Sequence, residues 1–389
     1  MNWNDCVVRT GTHSVKWSSI PDPNEIIPMC IADMDFQVAP EIMQAMVKKA
    51  AHGIYGYTTF CDRYYLSIIQ WWKKRFDLDI DKEWISFSPG IIPGINILLQ
   101  ILTKPGEHVI VQEPVYYPFY SSIENHQCKI VQNSLVYKNG TYEMDFADLE
   151  EKASDPKASV LILCSPHNPV GRVWTIDELN RVAEICLKHN VWIISDEMHG
   201  DLVYKGNQHH PLFAVNPKIK NQSIICAAPS KTFNVAGLQT SIIMIPNKDL
   251  REQYQQKLIQ FGLMRPNVFG VEGTIAAYES CEYWLEELLV YLEENLQYVL
   301  NYFKTQIPEI IPIQPEATHL IWLDCSQLGM KGEELFQYFL NEAKIKFDEG
   351  YKFGQNGDSF VRMNIACPRE RLENAMKRIE EAVKSVKHK

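Results

Sequence analysis

The chain has 389 residues, a 46% hydrophobic fraction and a formal charge of 38 − 48 = −10. That is enough length for two domains, or for one domain with a large appendage, and the composition is that of a soluble globular protein. The basic residues are dispersed instead of gathered into arms, which argues against nucleic acid as a partner and for small molecules as ligands.

The N-terminal stretch "MNWNDCVVRTGTHSVKW" has no basic segment followed by an apolar one, and no run approaches 18 consecutive apolar residues. We therefore expect neither secretion nor membrane insertion. Ten cysteines are scattered without a CxxC pair, several of them inside apolar runs such as "LILC" and "IIC". Buried free thiols fit a reducing, cytoplasmic setting.

In chain order, short apolar runs alternate with helix-length amphipathic segments, the pattern of a βαβ sheet covered on both faces. Strands are predicted at 83–88, 108–112, 129–133, 159–165, 191–196, 223–228 and 240–245, most of them apolar almost throughout, as a buried parallel sheet requires. "TIDELNRVAEICLKHN" predicts a helix with Thr175 as N-cap and Glu178 closing a capping box. From about 281 a long amphipathic helix opens a region of weaker α+β signals, which ends in the charged helix "PRERLENAMKRIEEAVKSVKHK". The expected division is a large domain over 46–280 and a small one built from 1–45 together with 281–389.

Polar residues stand at or just beyond several strand ends, the edge of an open α/β sheet where ligands bind. "SPHNPVG", "DEMHGDLVY" and "PSKT" place Asn168, Asp196 and Lys231 at three successive strand ends, separated by 28 and 35 residues. Singly, each has an ordinary explanation as a loop lysine or a turn former. The ordered set has none.

With "ADMDF", "YGYT", "FSPGIIPGI", "PVYYPF", "SPHNPVGRVW", "SDEMHGDLVY", "APSKTFNVAGLQTS" and "VRMNIACPR" on the page, the chain resembles the fold-type I enzymes dependent on pyridoxal 5'-phosphate (PLP), the aspartate aminotransferase superfamily. More narrowly it resembles the MalY/PatB branch of cystathionine β-lyases and related carbon–sulfur lyases. The resemblance implies a PLP-dependent transferase fold of type I, with a mostly parallel seven-stranded sheet and a smaller α+β domain. It implies PLP held as an imine on Lys231, which then also serves as proton carrier. Asp196 would keep the pyridine nitrogen protonated.

Asn168 would face the phenolic oxygen; His199, in a place where most aminotransferases of this fold carry tyrosine, is either a second donor or a core histidine. The backbone N–H groups of Ile91 and Ile92, at a helix start, and the Ser230 hydroxyl would take the phosphate. Tyr116 would stack on the ring, with Tyr117 the competing candidate, and Tyr57 would reach the phosphate of the neighbouring subunit of a homodimer. Arg362, in the apolar stretch "FVRMNI", would bind the substrate α-carboxylate, while Arg369 is taken as structural. Gln239 stands where aminotransferases carry an arginine eight residues after the lysine, a change that weakens an aminotransferase reading.

The expected reaction is β-elimination from cystathionine, cystine or another S-substituted cysteine. An aminotransferase is the first alternative, and a regulatory binding protein on the enzyme scaffold is an alternative of another class.

Overall fold

A computed structural model describes residues 1–386. Its centre is a seven-stranded sheet of β1 (Ile85–Ser88), β2 (His108–Val111), β3 (Lys129–Gln132), β4 (Ala158–Cys164), β5 (Trp192–Asp196), β6 (Ser223–Ala227) and β7 (Ser241–Met244). All seven predicted strands are present, each within two residues of its expected ends.

The spatial order is β1-β7-β6-β5-β4-β2-β3. Only β7 runs against its neighbours β1 and β6; the other pairings are parallel. Helices cover both faces, so β1, β6 and β7 are buried along their whole length. The helix Ile176–His189 begins with the predicted capping box, Thr175 accepting from the Glu178 N–H and Glu178 reaching back to the cap.

The 25-residue helix Glu282–Gln306 leads into a four-stranded antiparallel sheet of β8 (Ile311–Ile313), β9 (Leu320–Asp324), β10 (Asp348–Glu349) and β11 (Phe360–Asn364), in the order β8-β9-β11-β10. The helix Arg369–Val386 closes the described chain, so the last three residues of the predicted final helix lie outside the described residues.

The N-terminal arm is tied to this C-terminal part. Asp35, in "ADMDF", accepts from Arg9, Lys16 and Trp17 and pairs with Arg371 at 2.8 Å. Burial alone would raise the Asp35 carboxyl, but the surrounding cations hold it down at about 2. Ile27–Pro28 pairs in parallel with Ile345–Lys346, and the helix Pro40–His52 packs along Val268–Ser280.

Candidate active site

The sheet order explains how distant residues meet. β4, β5 and β6 are adjacent and parallel, so their carboxyl ends bring Asn168, Asp196 and Lys231 to one edge. Because β7 is antiparallel, its amino end, with Gln239 and Ser241, arrives at that edge too, and β1 delivers the start of the helix Ile91–Leu102. Between them lies a cavity of about 280 Å³.

Nine of the ten residues expected at the site line this cavity: Ile91, Ile92, Tyr116, Asn168, Asp196, His199, Ser230, Lys231 and Arg362. Tyr57 does not. It is 96% exposed and stands under the Arg265 guanidinium, 5.5 Å from the ring centre.

Lys231 follows β6 in the short helix Pro229–Thr232, and its Nζ donates to the Ala32 carbonyl at 2.9 Å. Burial pushes its amine down to about 8, with Asp33 the leading charge acting in the other direction. An amine in that range both gives up and takes back a proton near neutrality.

Asp196 ends β5 with its carboxylate buried, and the hydrogen bond it receives is from the Met198 N–H at 3.2 Å. Burial raises it to about 7. A buried carboxylate held this loosely calls for a cationic N–H partner in the cavity.

Arg362, on β11, is 2% exposed. Its Nε and Nη2 donate to Asp348 Oδ2 at 3.0 and 2.6 Å, and its Nη1 to Asn168 Oδ1 at 2.7 Å. Three of a guanidinium's five N–H groups are thus engaged, which leaves two for a ligand carboxylate. The Phe353 ring lies under the same guanidinium at 4.8 Å. With its oxygen taken by Arg362, Asn168 offers its amide NH₂.

At the opposite end the helix Ile91–Leu102 starts after Gly90, whose φ of +153° few other residues adopt, and no side chain caps it. The Ile91 and Ile92 N–H groups, in the first turn, have no intrahelical acceptor, and both residues line the cavity together with Ser230 and Ser241. Such a cradle takes an anion, and phosphate suits it.

His199 Nδ1 is sealed from solvent with no hydrogen-bond partner among the described residues, and burial drives the imidazole down to about 3, a neutral ring. Tyr116 and Tyr117 both line the cavity. Burial lifts the Tyr116 phenol to about 12 and raises that of Tyr117 too; both sense Arg362 and Asp348, Tyr116 also senses Asp196, and Tyr117 also senses Lys352 and packs edge-on against Phe353.

Several residues at the site carry no local signal in the sequence. Asp348 sits directly across from Arg362 in the β10–β11 pairing, but a strand of two residues has no periodicity to betray it. Ile31 and Ala32 wall the cavity. Ile31 is held at φ +56°, its N–H on Asp348 and its carbonyl on Asn364. Its neighbour "ADMDF" was the available signal.

An electropositive cradle, a near-neutral amine, a buried carboxylate without a counter-charge and a forked cation thus share one cavity. These fit PLP: Ile91, Ile92 and Ser230 toward its phosphate, Asp196 toward its ring nitrogen and Lys231 toward its aldehyde.

Residues 24–379 match the family model described as aminotransferase class I and II. The chain is 39% identical to cystathionine beta-lyase PatB of Bacillus subtilis over 98% of this chain and 100% of that protein. Among solved structures it is similar to cystalysin from Treponema denticola, which contains a pyridoxal 5'-phosphate cofactor (TM-score 0.96, 34% identity, 99% of each chain). It is also similar to the PLP-bound C-S lyase from Staphylococcus hominis (TM-score 0.93, 30% identity, 98% of each chain).

Proposed function

Starting from a chain that belongs to the aminotransferase class I and II family, we propose that it is a PLP-dependent carbon–sulfur β-lyase of the cystathionine β-lyase kind. It cleaves cystathionine or other S-substituted cysteines to pyruvate, ammonia and a thiol. The observation that carries this reading is the convergence of Lys231, Asp196 and Arg362 on one cavity, in a chain whose full-length relatives include a cystathionine beta-lyase and a C-S lyase.

When bound, PLP supplies an electron sink for the pair left on the substrate's α-carbon. The residues of the chain do the rest. Arg362 receives the α-carboxylate on its two free N–H groups, held in place by Asp348 and by Phe353 beneath it. Asp196 would balance a protonated ring nitrogen. Asn168 and His199 would serve the phenolic oxygen, and Tyr116 would cover the ring. Lys231 takes the α-proton, its amine poised near 8. Sulfur then leaves Cβ as a thiolate, and the 2-aminoacrylate formed hydrolyses to pyruvate and ammonia.

Gln239, at φ +48° on the cavity wall, stands where an aminotransferase would hold an arginine, which favours the lyase over the transaminase.

The working unit we propose is a homodimer in which Tyr57 completes the site of the other copy. Its near-complete exposure, together with exposed Ile54 and Tyr55 beside it, supports that reading. A cytoplasmic setting is supported by ten free cysteines, eight of them buried. Among the described residues no helix is long and apolar enough to cross a membrane. We keep the division at 46 and 281 as a proposal, supported by the pairing of Ile27–Pro28 with Ile345–Lys346.

The test is to mix purified protein, PLP and cystathionine with no keto acid acceptor. Sustained release of pyruvate and thiol is expected. A single stoichiometric conversion of the cofactor to its amine form would overturn the lyase reading in favour of transamination.

A further inference from the structure

His319, just ahead of β9, is fully buried, and neither of its ring nitrogens meets a hydrogen-bond partner among the described residues. Its ring stands edge-on to His199, 6.1 Å between centres at 60°. His199 Nδ1 is likewise sealed and unpartnered. Three buried ring nitrogens on two neighbouring imidazoles are thus left to satisfy one another, since an orphaned buried polar atom is costly.

The backbone holds the two rings in register. The Leu202 N–H donates to the His199 carbonyl, and the Thr318 N–H donates to the Leu202 carbonyl at 2.7 Å. The Tyr204 N–H reaches the Glu316 carbonyl, and the Gly171 carbonyl accepts from both Glu316 and Ala317. The segment carrying His319 is thereby stitched to the turn carrying His199.

Thr318, β-branched, is held at φ +74°, with its Oγ1 accepting from the Leu320 N–H across His319. Such a conformation is a true outlier for threonine, and it persists only where the surroundings impose it. Its effect here is to aim the next side chain.

We propose that His319 is a positioning residue acting through His199. Its ring N–H reaches His199 Nδ1 over one trapped water and thereby fixes the His199 tautomer that carries its proton on Nε2, the nitrogen left to face the cavity. A neutral imidazole whose Nδ1 accepts must hold its proton on Nε2, which makes it a donor. Burial above all keeps both rings neutral, with Lys231 and Arg362 acting in the same direction on both and His199 and Lys16 on His319 as well. The inference rests on the PLP reading above, and the donor would serve the cofactor's phenolic oxygen.

The test is the pKa read from the pH dependence of the visible absorption band of the PLP-loaded protein. A donor to the phenolic oxygen stabilises its anionic form and lowers that pKa. His319→Phe should raise it by about 0.5–1, the worth of one neutral hydrogen bond. His319→Gln, which restores an N–H, should return most of the change. In a His199→Phe background, His319→Phe should add nothing.

If His319→Phe does not fold, His319→Leu takes its place. A band with unaltered pKa in the Phe or Leu variant overturns the inference alone, as does a shift that survives in the His199→Phe background. If the wild type gives no such band with PLP, the cofactor reading falls and this inference with it.

Discussion

Replacing Asp196 by asparagine should make the cofactor-free protein more stable and the cofactor harder to bind. The Asp196 carboxyl is raised from its ordinary 3.8 to about 7, chiefly by burial and also by neighbouring Glu197, with Met198 N–H and Lys231 acting the other way. A folded-state pKa above the unfolded one means the folded protein keeps a proton that the unfolded chain releases. Stability therefore falls as pH rises from about 4 to about 7 and is level above that.

The interval from 3.8 to about 7 corresponds to about 4 kcal/mol, of which about 2 kcal/mol is lost between pH 5 and pH 7. Asparagine at 196 has nothing to titrate. In urea unfolding of the two cofactor-free proteins at equal concentration, the variant's advantage should grow by about 2–3 kcal/mol between pH 5 and pH 8. Titrating groups distant from Asp196 are common to both and drop out of the difference; Glu197 and Lys231, which sense it, contribute the remainder. With PLP present the order should reverse, because an ionised Asp196 then has a cation to face and the amide does not. Parallel pH profiles for the two cofactor-free proteins would refute the claim that burial holds this carboxyl above its ordinary range.

Lys231→Ala should leave no borohydride-trappable PLP adduct and lower turnover by about 10²–10⁴-fold or more; an adduct found in this variant would place the linkage elsewhere. Arg362→Lys keeps a charge but loses the fork shared with Asp348 and Asn168. KM for cystathionine should rise about 10–100-fold with a smaller change in kcat, and an unchanged KM would remove Arg362 from carboxylate binding. Gly171→Ala would set a Cβ 2.4 Å from Pro315 Cβ at a backbone φ of +74°. We expect a loss of about 1–3 kcal/mol by urea unfolding, and a neutral result would show that the 315–317 clamp yields.

Some of this protein was plain in its sequence for identifiable reasons. "SVLILCS" and "SIICAA" read as strands because a strand covered on both faces is apolar at every position. Lys231 and Asp196 stood out because ionisable residues at the ends of such strands have no packing role there. The capping box at Thr175 and Glu178 is local chemistry, readable within four residues.

Other features were beyond reach of any local pattern. Tyr116 and Tyr117 are adjacent in "PVYYPF", and only their surroundings show that Tyr116 senses Asp196 while Tyr117 turns to Phe353. Asp348 reads as one acid among several in "KFDEGYKF", yet it is the residue that orients Arg362.

Local patterning, apolar runs and the polar residues that punctuate them, determined which segments are strands and helices and which side chains would be chemically idle if left alone. The tertiary structure decided which of them meet. The reversal of β7 carries Gln239 and Ser241 to the edge where β4, β5 and β6 end, the β10–β11 pairing sets Asp348 against Arg362, and the clamp through Gly171 and Leu202 brings His319 to His199. The physical reason is that propensity, capping and burial pattern act over a few neighbouring residues, whereas these contacts join residues far apart in the chain and exist only once the whole core has closed around them.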